Sequence, residues 1–461
     1  MAEYDLSKTI IPYLDRHLAF PLLAHLVETS LFPVEQVQAA QYELAKGTNM
    51  LDYAVSLFEQ LHPDEEIPEE FSGKREKAVS TNERLQLEAQ AVLDVIENPD
   101  VAQALRQDKN QNLQYLKDNY NVPHPRTNHC SYTTLGSSNI HTATTAGAAD
   151  YLYHFRVLST DNDLNTSAHW GKLASDILTG KWETALEELN TLRDVVDSRS
   201  PSTLLTASAE PAALTQLHSR TWLVHWSLFV YFNHPQGRTL LLETFLSPTY
   251  LNTIQTSSPW ILRYIATAAI LSRKSAAGGS AASSRVRHSI REIVKVIQTE
   301  EYQYQDPVTS FLKELYVEFD FEAAQRELTL ADRVVGDDFF LGEFREEFLD
   351  NARYLISEAY CRIHQRIDIG DLSERLNLSR DEGEKWIVNL IRETRMGAEA
   401  KIDLEKNVIE IHRSPLPIYQ SVIEKTRGLA FRTQALGTGM LHSPQQPQQS
   451  QPQPAVVEGA P

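Results

Sequence analysis

Residues 353–413 constrain the chain more tightly than any other stretch. A helical run from Ala352 to His364 leads into them. Ile369, Leu372 and Leu376 then mark the apolar face of a short second helix, and Asn377 and Leu378 turn the chain. Ser379 with Glu382 three residues on has the spacing of a capping box, in which the two residues satisfy each other's orphan backbone donors. Trp386, Ile387, Leu390 and Ile391 share one stripe of a third helix. Past Gly397 the period changes. Ala400–Asp403 and Val408–His412 alternate like strands around a polar turn, Leu404–Asn407.

Helix, helix, turn, helix, hairpin is the order of a winged helix. A DNA-reading version turns a basic face of its third helix toward the phosphates. Here the outer face carries Asp381, Lys385, Val388, Asn389 and Arg392, with Glu384 and Glu393 beside it. That mixed sign disfavours phosphate and points to protein assembly. The hairpin leaves backbone groups at an edge, where a neighbouring strand can pair. Lys401, Asp403, Val408 and Glu410 are therefore candidate interface residues. Residues 414–436 return to helix with Ile418, Val422, Leu429 and Leu436 on one side. That stripe is too long for the wing alone to cover, so these four join the candidate interface.

The chain has 461 residues, more than one core normally supports, and a formal net charge of −19. Such a balance repels nucleic acid over most of the surface. One stretch departs from it: Arg273, Lys274, Arg285, Arg287, Arg291 and Lys295 stand near a single acid, Glu292. Either this is a solvated loop entering a helix, or it contacts RNA or an acidic partner. Cys130 and Cys361 are the sole cysteines, which suits a reducing compartment and excludes a disulfide framework. Residues 1–5 lack the basic and apolar regions of a signal peptide. The most apolar runs, Trp222–Phe232 and Trp260–Leu271, fall short of the ~20 residues a membrane span needs. They predict buried helices, no membrane association and a cytoplasmic protein.

Helical periodicity runs through almost everything else. Residues 5–30 are helical with breaks at Pro12 and Pro21. Further helices are predicted at 33–46, from Leu51, at 74–97 and at about 99–117. Three later segments resemble one another and place Ala149, Ala185 and Ala324 where two helices must approach closely, as in tetratricopeptide-like hairpins. Residues 198–213 and 275–284 are Ser/Ala-rich and predict surface loops; Gln/Pro-rich 444–461 predicts disorder. The expected fold is mainly α. A helical-hairpin solenoid (1–240) leads into a second unit (241–413) that ends in the winged helix, then a C-terminal helix (414–440) and a disordered tail (441–461).

No residue set invites catalysis. The GxxxxGK[ST], HExxH and GxSxG patterns are absent, and neither cysteine has zinc-site neighbours. His124, His129 and His141 fall together without ligand spacing, and His225 in its apolar run reads as a satisfied core histidine. No enzyme activity, catalytic residue, metal or cofactor is expected.

Several stretches carry a family resemblance. They include residues 1–6, 15–18 and 20–23, then 220–230 and 232–235, Lys295–Gln298 through Pro307, and Tyr316 through Gln325. The most specific are Cys361–Gln365, Trp386–Arg392 and Val422–Thr426. Winged helix and preceding hairpins together resemble the PCI domain, shared by the proteasome lid, the COP9 signalosome and translation initiation factor three. The wider set resembles the E-type subunits of the last of these. That resemblance implies a non-catalytic scaffold within an assembly that binds the small ribosomal subunit and promotes messenger RNA and initiator tRNA recruitment. It implies pairing with other subunits through winged helices and a C-terminal helix bundle, and contact with the scaffold protein of the cap-binding complex. A proteasome-lid or signalosome subunit is the alternative.

The resemblance fails at residues 122–146, which hold Pro123, Pro125 and many polar and β-branched residues where the family has a helix. The abrupt return at Gly147 suggests a reading frame lost and then restored; a lineage-specific loop is the alternative. It predicts an irregular segment and poor packing around Tyr151 and Phe155.

Overall fold

The computed structural model describes residues 2–63, 71–81, 145–198, 209–275, 280–393, 400–411 and 418–441, apart from a few positions within these spans. Helices dominate, as the periodicity predicts, and one connected core runs from Leu6 to Ile411.

The N-terminal part begins with short turns (Ala2–Tyr4, Ser7–Ile10, Ile11–Tyr13) and continues in α1 (Arg16–Thr29), α2 (Val34–Lys46) and α3 (Leu51–Leu61). Asp15 caps α1, its Oδ1 accepting from the His17 amide at 2.9 Å. Pro21 does not break this helix but sits inside it. The ring removes one backbone bond, while Leu18, Leu22, Leu23 and Leu26 on either side are buried, and that packing outweighs the loss. The predicted helix at 99–117 and most of that at 74–97 lie outside the described residues, as do residues 122–144.

The repeat region proper is α4 (Thr145–Leu158), α5 (Asn162–Leu178), α6 (Trp182–Ser198) and α7 (Ala209–Asn233). Here one expectation is corrected. Phe155 is well packed at 1% exposure, and Ala149 and Leu152 are buried beside it. α5 packs against α4. A polar clasp adds to this. Glu188 of α6 is buried and bonds Arg156 of α4, His169 of α5 and, at 3.1 Å, Lys172 of α5. Burial pushes the Glu188 carboxyl up, but His169, Arg156 and Lys172 together hold it below its usual range. Gly180, at φ +72°, makes the left-handed turn between α5 and α6 that a side chain would strain. Ala185 and Ala324 are fully buried at close helix contacts, as their small size predicts.

The chain continues through α8 (Gly237–Phe245), α9 (Pro248–Ser257), α10 (Leu262–Ser275), α11 (Ser280–Glu300), α12 (Pro307–Lys313) and α13 (Phe321–Asp337). The two apolar runs are buried, mostly as α7 and α10, except Trp222, which is 41% exposed, and Trp260, which is half-buried in the turn before α10. Both Ser/Ala-rich inserts are shorter than predicted. Residues 209–213 and 280–284 are already helix, because alanine is the best helix former and Pro211 falls in a first turn, where its missing N–H costs nothing. Among the described residues no helix is long and apolar enough to cross a membrane.

Arg263 of α10 is the centre of this region, 2% exposed. Its guanidinium meets Asp306 Oδ1 (2.5 Å from Nη2, 3.1 Å from Nε), Asp338 Oδ2 (3.2 Å) and the Tyr4 carbonyl (2.6 Å). Asp306 is also the cap of α12, accepting from the Val308 amide. Asp338 takes two further bonds, from the Tyr264 hydroxyl and the Phe340 amide. One cation thus joins the N-terminal turn to three later elements.

Candidate assembly surfaces

The winged helix is built from α14 (Arg345–Ile363), β1 (Arg366–Asp368), α15 (Ile369–Arg375), α16 (Arg380–Glu393), β2 (Ala400–Asp403) and β3 (Val408–Ile411). Asp368 caps α15, accepting from the Gly370 amide at 2.7 Å. The Ser379–Glu382 capping box forms as its spacing predicts, with Ser379 N–H donating to Glu382 Oε2 and Glu382 N–H to Ser379 Oγ. Gly383 brings α16 against α15: a Cβ there would lie 1.9 Å from Ser373 Oγ. Ile387 is buried at 1% exposure. Trp386, expected in the core, is only half-buried; its ring packs on Tyr354 with centroids 4.3 Å apart. Leu390's side chain lies outside the description.

The wing has three strands where the alternation predicts two. Strand order is β1–β3–β2, both pairings antiparallel. Arg366, Ile367 and Asp368 face Glu410, Ile409 and Val408, while Lys401, Ile402 and Asp403 face the same three from the other side. β1 escaped the sequence reading because three residues around a single buried Ile367 are too few to show a period. Its presence corrects the interface prediction. Val408 and Glu410 belong to the central strand, with ladder partners on both sides, and Val408 is buried. The sheet has edges at β1 and β2, and Lys401 and Asp403 lie on the second. Lys401 is exposed; Asp403 is half-buried and holds the turn by accepting from the Lys406 amide and pairing with Lys406 Nζ at 3.1 Å.

The C-terminal helix α17 (Ile418–Leu441) lies where it is predicted, and its apolar side chains are exposed. Ile418, Val422, Leu429 and Leu436 are all exposed, as are Tyr419, Ile423 and Phe431. Residues 444–461 lie outside the described residues.

The six basic candidates divide. Arg273 turns inward: it pairs with Glu358 at 3.4 Å and lies 4.8 Å over the Tyr354 ring. Arg273, Tyr354 and Trp386 thereby join α10, α14 and α16. Arg285, Arg287, Arg291 and Lys295 are exposed on α11, with Lys295 pairing to Glu292 at 2.8 Å. The side chain of Lys274 is outside the description.

His225 is a satisfied core histidine as expected. Its Nδ1 meets the Thr221 carbonyl at 2.7 Å, and its Nε2 accepts from the Trp260 indole at 3.0 Å. Burial lowers its pKa to about 4, against the opposing pull of the Thr221 carbonyl. His124, His129 and His141 lie outside the described residues. The Arg263 network was missed altogether, since its partners are 43, 75 and 259 positions away. The one local signal for it was an arginine standing inside an apolar run.

Known proteins resemble most of the chain. A family model described as the eIF3 subunit 6 N terminal domain matches residues 5–130. The PCI domain model matches 329–413, and the model of the C-terminal part of the E subunit of eukaryotic translation initiation factor 3 matches 417–437. The chain is 47% identical to the E subunit of eukaryotic translation initiation factor 3 from Mycosarcoma maydis, over 95% of this chain and 86% of that one. It is 48% identical to the protein of the same name from Cryptococcus neoformans, over 97% and 95% of the two chains. For Emericella nidulans the identity is 45%, over 94% and 93%.

Proposed function

The chain belongs to the family of E subunits of eukaryotic translation initiation factor 3, and from that premise we propose that it is a non-catalytic, cytoplasmic scaffold within a multisubunit initiation factor 3 assembly. The observation that carries this reading is α17, a helix of about seven turns whose apolar side chains are left exposed. Exposed apolar surface of that extent marks an interaction site. In this reading the assembly engages the small ribosomal subunit and promotes recruitment of messenger RNA and initiator tRNA. The chain's partners are the other subunits, through the winged helix and α17, together with the scaffold protein of the cap-binding complex. Density-gradient sedimentation of native extract tests the ribosomal role. The chain is expected to co-migrate with small ribosomal subunits; migration with proteasomes or signalosomes instead contradicts it.

The free edge of β2 is the second contact in this reading. A neighbouring winged helix adds a strand there, its backbone groups pairing with those of Ala400–Asp403. Replacing Ile402 with proline removes one N–H and keeps the charge unchanged. It is expected to reduce co-purification of the paired subunit several-fold. Glu410→Lys, on the central strand, is expected to have little effect. Equal loss from both counts against edge pairing.

A further inference from the structure

We infer that the outer face of α11 is a binding site for single-stranded RNA. Arg285, His288, Arg291 and Lys295 are exposed on this helix, whose opposite side buries Ile290, Ile293, Val294 and Ile297. At 1.5 Å rise per residue, Arg285 and Arg291 are separated by about 9 Å along the axis, and Arg291 and Lys295 by about 6 Å. The cations form a ladder that a phosphodiester backbone can follow. Arg291 and Lys295 are like charges at i, i+4, a spacing that destabilises a helix. Glu292 is the one acid set among them, and it hydrogen-bonds Lys295. In a chain of net charge −19, this face is a local concentration of cations suited to an anionic partner.

Tyr302 points to the kind of anion. It stands seven residues past Lys295, just beyond the end of α11, and is 79% exposed. A row of cations ending in an exposed aromatic ring is the arrangement that tracks a single strand's phosphates and stacks one of its bases. Arg273 takes no part, being paired with Glu358 inside the fold. The site is independent of the assembly surfaces on β2 and α17.

Fluorescence anisotropy of the full chain with a labelled single-stranded uridine oligonucleotide, across a salt series, tests this. Each phosphate contact to a single strand contributes about −0.7 to the slope of log affinity against log salt. The variant carrying Arg285→Gln, Arg291→Gln and Lys295→Gln is expected to lose about 2 from that slope, and so about a hundred-fold in affinity near 0.1 M salt. Tyr302→Ala is expected to weaken binding about ten-fold with the slope unchanged. Neutralising Lys425, Arg427 and Arg432 on α17 is expected to change neither. All these positions are exposed, so thermal midpoints should match wild type. The inference is overturned if the wild-type chain binds no RNA, if the α11 variant binds as well as wild type, or if polyglutamate displaces the RNA at equal charge concentration. The last result assigns the ladder to an acidic protein.

Discussion

Replacing Arg263 with methionine is expected to destabilise the folded chain by about 3–5 kcal/mol, the usual cost of removing one partner from a buried ion pair. The reason is what remains. Asp306 and Asp338 are buried against Arg263, and each would keep a desolvated carboxylate with no cation to meet it. Methionine fills much of the volume, so little of the loss is a cavity. The variant also frees the Tyr4 carbonyl, which Arg263 binds at 2.6 Å, and so loosens the N-terminal turn. Urea denaturation followed by circular dichroism measures the first effect and limited proteolysis near the N-terminus the second. Adding Asp306→Asn and Asp338→Asn to Arg263→Met should recover more than half of the lost stability, because amides carry no charge to strand. A single-variant loss below about 1 kcal/mol would mean that the charges are solvated.

The second large effect concerns association rather than folding. Deleting residues 418–441 is expected to reduce co-purification of the other subunits ten-fold or more while leaving the remaining chain folded. Tyr419, Val422, Thr426, Leu429, Thr433 and Leu436 recur at alternating spacings of three and four, a seam that fits a partner helix. Each large apolar side chain buried there contributes about 1.5–3 kcal/mol. Association itself costs an estimated 4–15 kcal/mol, so several such side chains are needed before binding is tight. Leu429→Asp, a single change in the middle of the seam, should produce much of the same loss. Deleting 444–461 should not. Equal effects of the two deletions would refute the distinction between helix and tail.

The sequence was most readable where information is local. The Ser379–Glu382 capping box, the helix α16 and the wing hairpin each rest on spacings of a few residues, and each is present in the fold. Helical repeats were legible from Ala185 and Ala324 for the same reason: a small residue in an amphipathic helix reports a close neighbour. The reading failed where the outcome depends on distant partners. Nothing near Pro21 says that buried leucines will carry a helix across it, and nothing near Phe155 says that it will be buried. β1 becomes a strand only because β3 lies beside it. That third strand also changed the candidate site, moving Val408 and Glu410 from an edge to the centre of the sheet. Of the basic stretch, sequence located the charge but not its direction; Arg273 goes inward to Glu358 while Arg285 and Arg291 stay outside.

The central claim is that this chain is a scaffold of the initiation factor 3 assembly, and mass spectrometry of the native complex tests it most directly. The full chain, tagged beyond residue 461, would be expressed in its own cells in place of the untagged protein and purified at low salt. The account predicts the other subunits of initiation factor 3 in near-stoichiometric amounts, held through α17 and the wing. Recovery of proteasome-lid or signalosome subunits in their place, or of the chain alone, would contradict it.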